Sequence, residues 1–209
     1  MKSYSEASER NRGPILAVLR RWLTGSCRVL EIGSGNGQHA VYFAEALPHV
    51  LWQATDRAAN LPDVSEWIDA AALPNLGAAI ALDVGDETWP AKDFDAVFSA
   101  NTAHIMSWPE VELMIRRSAA ALRPGGLLLL YGPFNYGGRF TSESNARFDG
   151  WLRAREAHMG VRDVEAVEAC ASAAGFTLIE DNAMPANNRL LVWRRNADAP
   201  QADPGGEGS

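Results

Sequence analysis

The segment Val29-Leu30-Glu31-Ile32-Gly33-Ser34-Gly35-Asn36-Gly37 constrains the fold more than any other part of the chain. A short apolar run carrying one acid gives way to three glycines spaced G-x-G-x-G, which open into the polar start of a helix. A strand that turns sharply into a helix often needs φ above zero, and glycine adopts that conformation without steric cost. The missing side chain also lets a ligand approach the backbone. A helix starting near Asn36 turns its free N–H groups and positive dipole end toward that ligand. Gly33, Ser34, Gly35, Asn36 and Gly37 are therefore read as the floor of a nucleotide-type cofactor site.

The spacing separates this turn from a dinucleotide fingerprint, which is G-x-G-x-x-G with the third glycine easing helix packing beside a pyrophosphate. Here the third glycine comes one residue early. Glu31, two residues before the first glycine, repels an anion and welcomes a cationic amino-acid headgroup. The combination resembles motif I of the class I S-adenosylmethionine-dependent methyltransferases.

That resemblance extends through the next elements in order. Val50 to Asp56 reads as a second strand whose terminal acid lies 19 residues beyond Gly37, where a carboxylate accepts the ribose hydroxyls. A third strand, Ala78 to Val84, ends in an acid. The resemblance implies that Asp83 holds the adenine amino group and the N–H of Val84 the ring edge. A fourth strand, Phe94 to Asn101, places Asn101 beside the methionine part of the cofactor. Leu122-Arg123-Pro124-Gly125-Gly126 followed by Leu127 to Tyr131 matches the family's helix stop and fifth strand. The implied cofactor is S-adenosyl-L-methionine. In this fold the first helix crosses over it, which brings Arg10 and Asn11 to its carboxylate; a merely solvated helix start is the other reading of that charged segment.

Ile15, Val18, Leu19, Trp22 and Leu23 recur at helical spacing and mark one apolar face of a helix from Ser8 to Leu23. Strands and helices then alternate, as expected for an α/β, Rossmann-like fold: a seven-stranded, mostly parallel sheet with helices on both faces. Ser107-Trp108-Pro109-Glu110 is a capping box that starts a helix reaching Leu122. Gly132 to Thr141 reads as a long glycine-rich loop, a linker or a binding lid. Helices from Ser142 to Arg155 and from Asp163 to Ala174 follow, the second capped by Asp163, and Phe176 to Glu180 and Leu190 to Arg194 read as the last strands.

The 209 residues, 47% hydrophobic, suffice for one domain over 1–196, and the Pro- and Gly-rich stretch 197–209 is expected to be disordered. A formal net charge of −7 without a dense Lys/Arg stripe argues against nucleic acid as a partner. No apolar run approaches a membrane span, and the polar first residues do not form a signal peptide, so a cytoplasmic location is expected. Cys27 and Cys170 read as buried, reduced thiols rather than a disulfide or a nucleophile, and the four histidines show no metal-ligand spacing. Oligomeric state is left open.

Methyl transfer from a sulfonium needs both reactants held at near-attack distance, water excluded and, for some acceptors, a base. His104, just past the fourth strand, is the first candidate base, with Tyr136 and Tyr131 behind it; a loop histidine bonded to backbone is the alternative. The acceptor is expected between the segment Phe134 to Asn145, which supplies Phe134, Tyr136, Arg139 and Asn145, and the turn at Asn187 and Asn188. Neutral donors with one cation suit a small polar or weakly anionic molecule, methylated on O, N or S. Trp52, Trp89, Trp108 and Trp151 are assigned to core or lid packing over the alternative of substrate stacking platforms.

Further segments narrow the resemblance: Ser8-Glu9-Arg10-Asn11, Ser99 to His104, Tyr131-Gly132-Pro133-Phe134, Thr141 to Asn145 with Phe148-Asp149, Gly160-Val161-Arg162-Asp163 and Met184 to Asn188. Together they are similar to the methyltransferase-like protein 26 family from Tyr4 to Arg195. Glu156-Ala157-His158-Met159 departs from its Asp-Pro turn and Trp. Two rivals come from other classes. An NAD(P)-binding oxidoreductase wants the longer glycine spacing, and a non-catalytic adaptor would have lost Glu31, Asp56 and Asp83, which all stand here.

Overall fold

The computed structural model describes residues 3–89 and 93–197. The expected tail therefore lies, from residue 198 onward, outside the described residues. In chain order the elements are α1 (Glu6–Trp22), β1 (Cys27–Ile32), α2 (Gln38–Ala46), β2 (Val50–Asp56), α3 (Leu61–Ala71), β3 (Ile80–Ala81) and β4 (Phe94–Ala100). Then come α4 (Trp108–Ala121), β5 (Leu122–Asn135), α5 (Glu143–Arg155), β6 (Arg162–Asp163), α6 (Val164–Ala173), β7 (Phe176–Met184) and β8 (Asn188–Arg195).

The sheet runs 3-2-1-4-5-8-7, with the two-residue β6 pairing beside it on the end of β5. Pairings among the first five strands are parallel, and β8 runs antiparallel to both β5 and β7. Side chains alternate across the sheet as a strand period of two requires. Phe98, Leu129 and Val192 join one core with α1, α2 and α3, whereas Val97, Leu128 and Trp193 join the opposite core with α4 and α6. Helices thus cover both faces, the strands are nearly continuous apolar runs, and ligand chemistry is left to the carboxyl ends. α1 continues through Pro14, preceded by Gly13, which has no Cβ to meet the proline ring.

Four expectations are corrected. The third strand pairs only at Thr55↔Ile80 and Asp56↔Ala81. It stops because Asp86 Oδ2 accepts from the N–H of Asp83 at 2.8 Å and Asp83 Oδ1 from that of Gly85 at 2.9 Å, side chains replacing the ladder. Leu122 to Gly126 ends α4 but already belongs to β5, pairing Leu122 with Phe94 before a bulge. The expected glycine-rich lid is also largely strand: Gly132 and Pro133 pair with β8, and Phe134 and Asn135 with β6. What remains is a tight turn in which Tyr136 and Arg139 exchange backbone bonds of 3.1 and 3.0 Å, Gly137 and Gly138 supplying the positive φ it needs. Finally, Asp163 precedes α6 without capping it, because its Oδ1 accepts from the N–H of Gly138 at 3.0 Å. The capping box at Ser107 and Glu110 is formed.

Candidate functional site

Beyond the carboxyl ends of the parallel strands lies an open cavity of about 1500 Å³. Its floor is the turn after β1. Gly33 sits at φ +71, and a Cβ there would fall 2.4 Å from Thr102 Cγ2, so the turn and the loop after β4 touch only because the residue is glycine. Gly35, at φ +63, faces open space. The turn is bonded to β2: the N–H of Ser34 donates to the Thr55 carbonyl at 2.9 Å and that of Gly35 to Asp56 Oδ2 at 2.7 Å. Asp56 Oδ1 accepts from the N–H of Arg57 at 2.8 Å and from Asn60 Nδ2 at 2.7 Å.

Glu31 lies beneath this floor rather than on the cavity wall. It is 1% exposed, and its Oε2 accepts from Ser34 Oγ at 2.9 Å and Trp52 Nε1 at 3.0 Å. Burial pushes its pKa up to about 7, against the lowering by those two donors. Its effect on any ligand passes through the turn it supports.

The N-terminal helix closes one side. Asn11 Oδ1 and His39 Nε2 lie 2.7 Å apart, both buried, and Asn11 also bonds Tyr131. Desolvation lowers the pKa of His39 to about 4, so the ring is neutral at pH 7. The segment before α1 is tied to the turn: the Ser5 N–H donates to Gln38 Oε1, and Asn36 Nδ2 donates to the Ser3 carbonyl at 3.0 Å.

His104 follows β4 in a loop held from its far side. Its carbonyl accepts from the N–H of Gly160 at 2.9 Å. Arg162 donates to the carbonyls of Ala103, Met106 and His158, spanning that loop and the chain after α5. The imidazole is 7% exposed on the cavity wall, and neither ring nitrogen has a hydrogen-bond partner among the described residues. Desolvation, helped by the Arg162 charge, lowers its pKa to about 4. The ring is therefore neutral at pH 7, with a nitrogen able to accept a proton.

Of the expected residues, Gly33, Ser34, Gly35 and Asn36 line the cavity, as do Asp56 and Val84 beside them. Arg10, Asn11, Asn101, His104, Asn145 and Asn188 join them. Others are placed elsewhere. Gly37 starts α2 and packs against Val64 and Trp67. The Asp83 carboxylate turns to Gly85 and to Arg57 Nε, 3.1 Å away. Phe134 is core, 1% exposed. Tyr136 donates its hydroxyl to Asp181 Oδ2 at 2.6 Å, which with burial holds its pKa well above the usual phenol range, and it is off the cavity wall. Arg139 belongs to the tight turn, and Asn187 is off the cavity wall, touching it through its carbonyl, which accepts from Asn145 Nδ2 at 3.1 Å, and its Nδ2, which donates to Ser144 Oγ at 3.3 Å.

Residues not anticipated from sequence are His39, Asn60 and an aromatic wall on α5. Phe148 and Trp151 stack 5.8 Å apart at 17°, Phe148 meets His104 edge-on at 5.2 Å, and Arg155 covers Trp151 at 4.8 Å. Trp151, assigned to packing, is 52% exposed. The spacing 148, 151, 155 on one helix face was a readable signal.

The profile of the family described as "Protein of unknown function (DUF938)" matches residues 2–195. A fatty-acid O-methyltransferase of Mycolicibacterium smegmatis is 30% identical over 105 residues, 49% of this chain and 35% of that protein. A 27-O-demethylrifamycin SV methyltransferase of Amycolatopsis mediterranei is 33% identical over 117 residues, 49% of this chain and 37% of that protein. The chain thus spans only about a third of the length of these relatives. The apo form of the S-adenosylmethionine-dependent methyltransferase SibL superposes with a TM-score of 0.76 at 25% identity, over 91% of this chain and 56% of that one. Mitomycin 7-O-methyltransferase MmcR gives 0.78 at 17% identity, over 90% of this chain and 54% of that one, a likeness of fold. The S-adenosylmethionine-dependent methyltransferase fold expected from the sequence is the fold found.

Proposed function

The chain belongs to the DUF938 family, the assignment reached from the sequence as a likeness to methyltransferase-like protein 26, and from its fold, its methyltransferase relatives and the cavity we propose a methyltransferase that uses S-adenosylmethionine on a small-molecule acceptor. One observation carries the reading. The Gly35 N–H and the Asp56 carboxylate are joined by a 2.7 Å bond on the wall of a cavity that also presents His104.

The residues present fit the cofactor. A Cβ on Gly35 would project into open space on the cavity side, so the bare backbone leaves room for a ligand there. A carboxylate has about four acceptor sites. Three on Asp56 are taken by Gly35, Arg57 and Asn60, which leaves one on Oδ2 for a ribose hydroxyl. A second hydroxyl would take the place of the exposed Asn60 amide, which returns to water without a buried loss. Leu82 and Val84 would flank the base, and Arg10 would face the carboxylate end. The cofactor supplies an electrophilic methyl on a positively charged sulfur. His104 then holds the acceptor's reacting group by a hydrogen bond and takes up a proton where the acceptor has one to lose. Arg162 and Gly160 fix the loop that aims it.

The test is S-adenosylhomocysteine release with a panel of phenols, carboxylic acids, amines and thiols. Turnover with any small acceptor supports the reading. Binding of the adenosyl ligand without turnover on any class favours the adaptor reading instead.

A further inference from the structure

Resting on that reading, we propose that the acceptor is a planar aromatic carboxylic acid whose ring lies on the Phe148–Trp151 pair and whose carboxylate is held by Arg155. Phe148, Trp151 and Arg155 stand at i, i+3 and i+7 of α5, one face of the helix, and all three line the cavity. From the His104 imidazole onto that face the order is imidazole, phenyl, indole, guanidinium, with neighbouring groups 5.2, 5.8 and 4.8 Å apart.

Two features call for a ligand. Leaving Trp151 52% exposed on the cavity wall forgoes the burial that makes tryptophan useful in a fold. Arg155 is the second feature. On the same helix, Arg147 pairs with Glu143 at 3.7 Å and Arg153 with Asp149 at 2.8 Å, whereas Arg155 has no ion pair among the described residues. A guanidinium stacked on an indole keeps its N–H edge available, and that edge matches a carboxylate in bidentate geometry.

Direction follows from the same order. With the carboxylate at Arg155, the far end of the ring points along the wall toward Phe148 and His104, so the methyl-accepting group sits on the end remote from the acid. Glu156, the next residue in the chain and also on the cavity wall, carries a like charge that opposes this carboxylate. That residue supplies a test of sign.

The experiment is calorimetry with 4-hydroxycinnamate, its uncharged amide and a saturated cyclohexyl acid of the same length. Each is titrated with and without saturating S-adenosylhomocysteine. The acid is expected to bind, the amide roughly tenfold or more weaker for want of a charged hydrogen bond, and the cyclohexyl acid several-fold weaker. Arg155→Gln should bring the acid down to the amide and leave the amide unmoved. Trp151→Ala should weaken both aromatic probes, and Glu156→Gln should tighten the acid. Equal affinity for acid and amide, no effect of Arg155→Gln, or weaker acid binding in Glu156→Gln overturns the proposal. Failure of S-adenosylhomocysteine itself to bind is separate and strikes the cofactor reading. All three substitutions are at exposed positions, so the fold is retained.

Discussion

Trp52 Nε1 donates to Glu31 Oε2 at 3.0 Å inside the sheet, so an acid on the central strand is satisfied by an indole and a serine instead of by a cation. The consequence is a pH-dependent stability. Glu31 has its pKa raised from 4.5 to about 7 by burial, so the folded state favours the protonated acid. Its contribution is fully present below the unfolded value and is lost as pH rises through the folded one.

Glu31→Gln should therefore be more stable than the parent at pH 8 and indistinguishable from it near pH 4. The upper bound on the difference is on the order of 3 kcal/mol. His39 and His104, with pKa values lowered to about 4, titrate in the opposite sense: they destabilise as pH falls below their unfolded value toward 4. The difference between the two proteins isolates Glu31. Urea melts at several pH values measure it, and a constant difference across the range would place the charge of Glu31 elsewhere.

Gly33→Ala tests the close approach of the turn to the loop after β4. The added Cβ would meet Thr102 Cγ2 at 2.4 Å and would also occupy a φ of +71, so destabilisation of about 1–3 kcal/mol is expected. The double variant Gly33→Ala/Thr102→Ser removes the methyl and should recover the steric part but not the backbone part. Thermal melts of the three variants separate the two contributions. Equal melting of the single and double variants would show that contact is not the cause.

Much of the architecture was legible because strand and helix signals are local. β1, β2 and β4, the Ser107 capping box and the glycine turn follow from period, caps and spacing. The errors arose where a partner strand decides. Gly132 to Asn135 look like loop until β6 and β8 supply the ladder, and Ala78 to Val84 look like strand until Asp83 and Asp86 take over the N–H groups. The site shows the same division. Gly35 and Asp56 could be placed by spacing alone. Where Tyr136 and Asp83 turn could not, because Asp181, the partner of Tyr136, and Arg57, which pairs with Asp83 beside the local Gly85 N–H, are distant in sequence.

His104 should act as a base only where the acceptor has a proton to lose. His104→Gln keeps a side chain of similar size and removes the proton acceptor; kcat should fall roughly 10²–10⁴-fold with a phenolic acceptor while S-adenosylhomocysteine affinity is unchanged. In the parent the acid limb of kcat is expected near pH 4 rather than 6.5, following the lowered pKa. Full turnover by the variant would mean that the acceptor arrives as a nucleophile and that proximity alone suffices.

The central claim is that the Gly33 to Asn36 turn with Asp56 holds an adenosyl cofactor. Calorimetric titration with S-adenosylhomocysteine, alongside NAD, tests it most directly. The account predicts saturable binding of the adenosyl ligand alone, weakened about tenfold or more by Asp56→Ala through loss of a charge-assisted hydrogen bond to the ribose. Saturable NAD binding without a response to S-adenosylhomocysteine, or an unchanged affinity in folded Asp56→Ala, would contradict it.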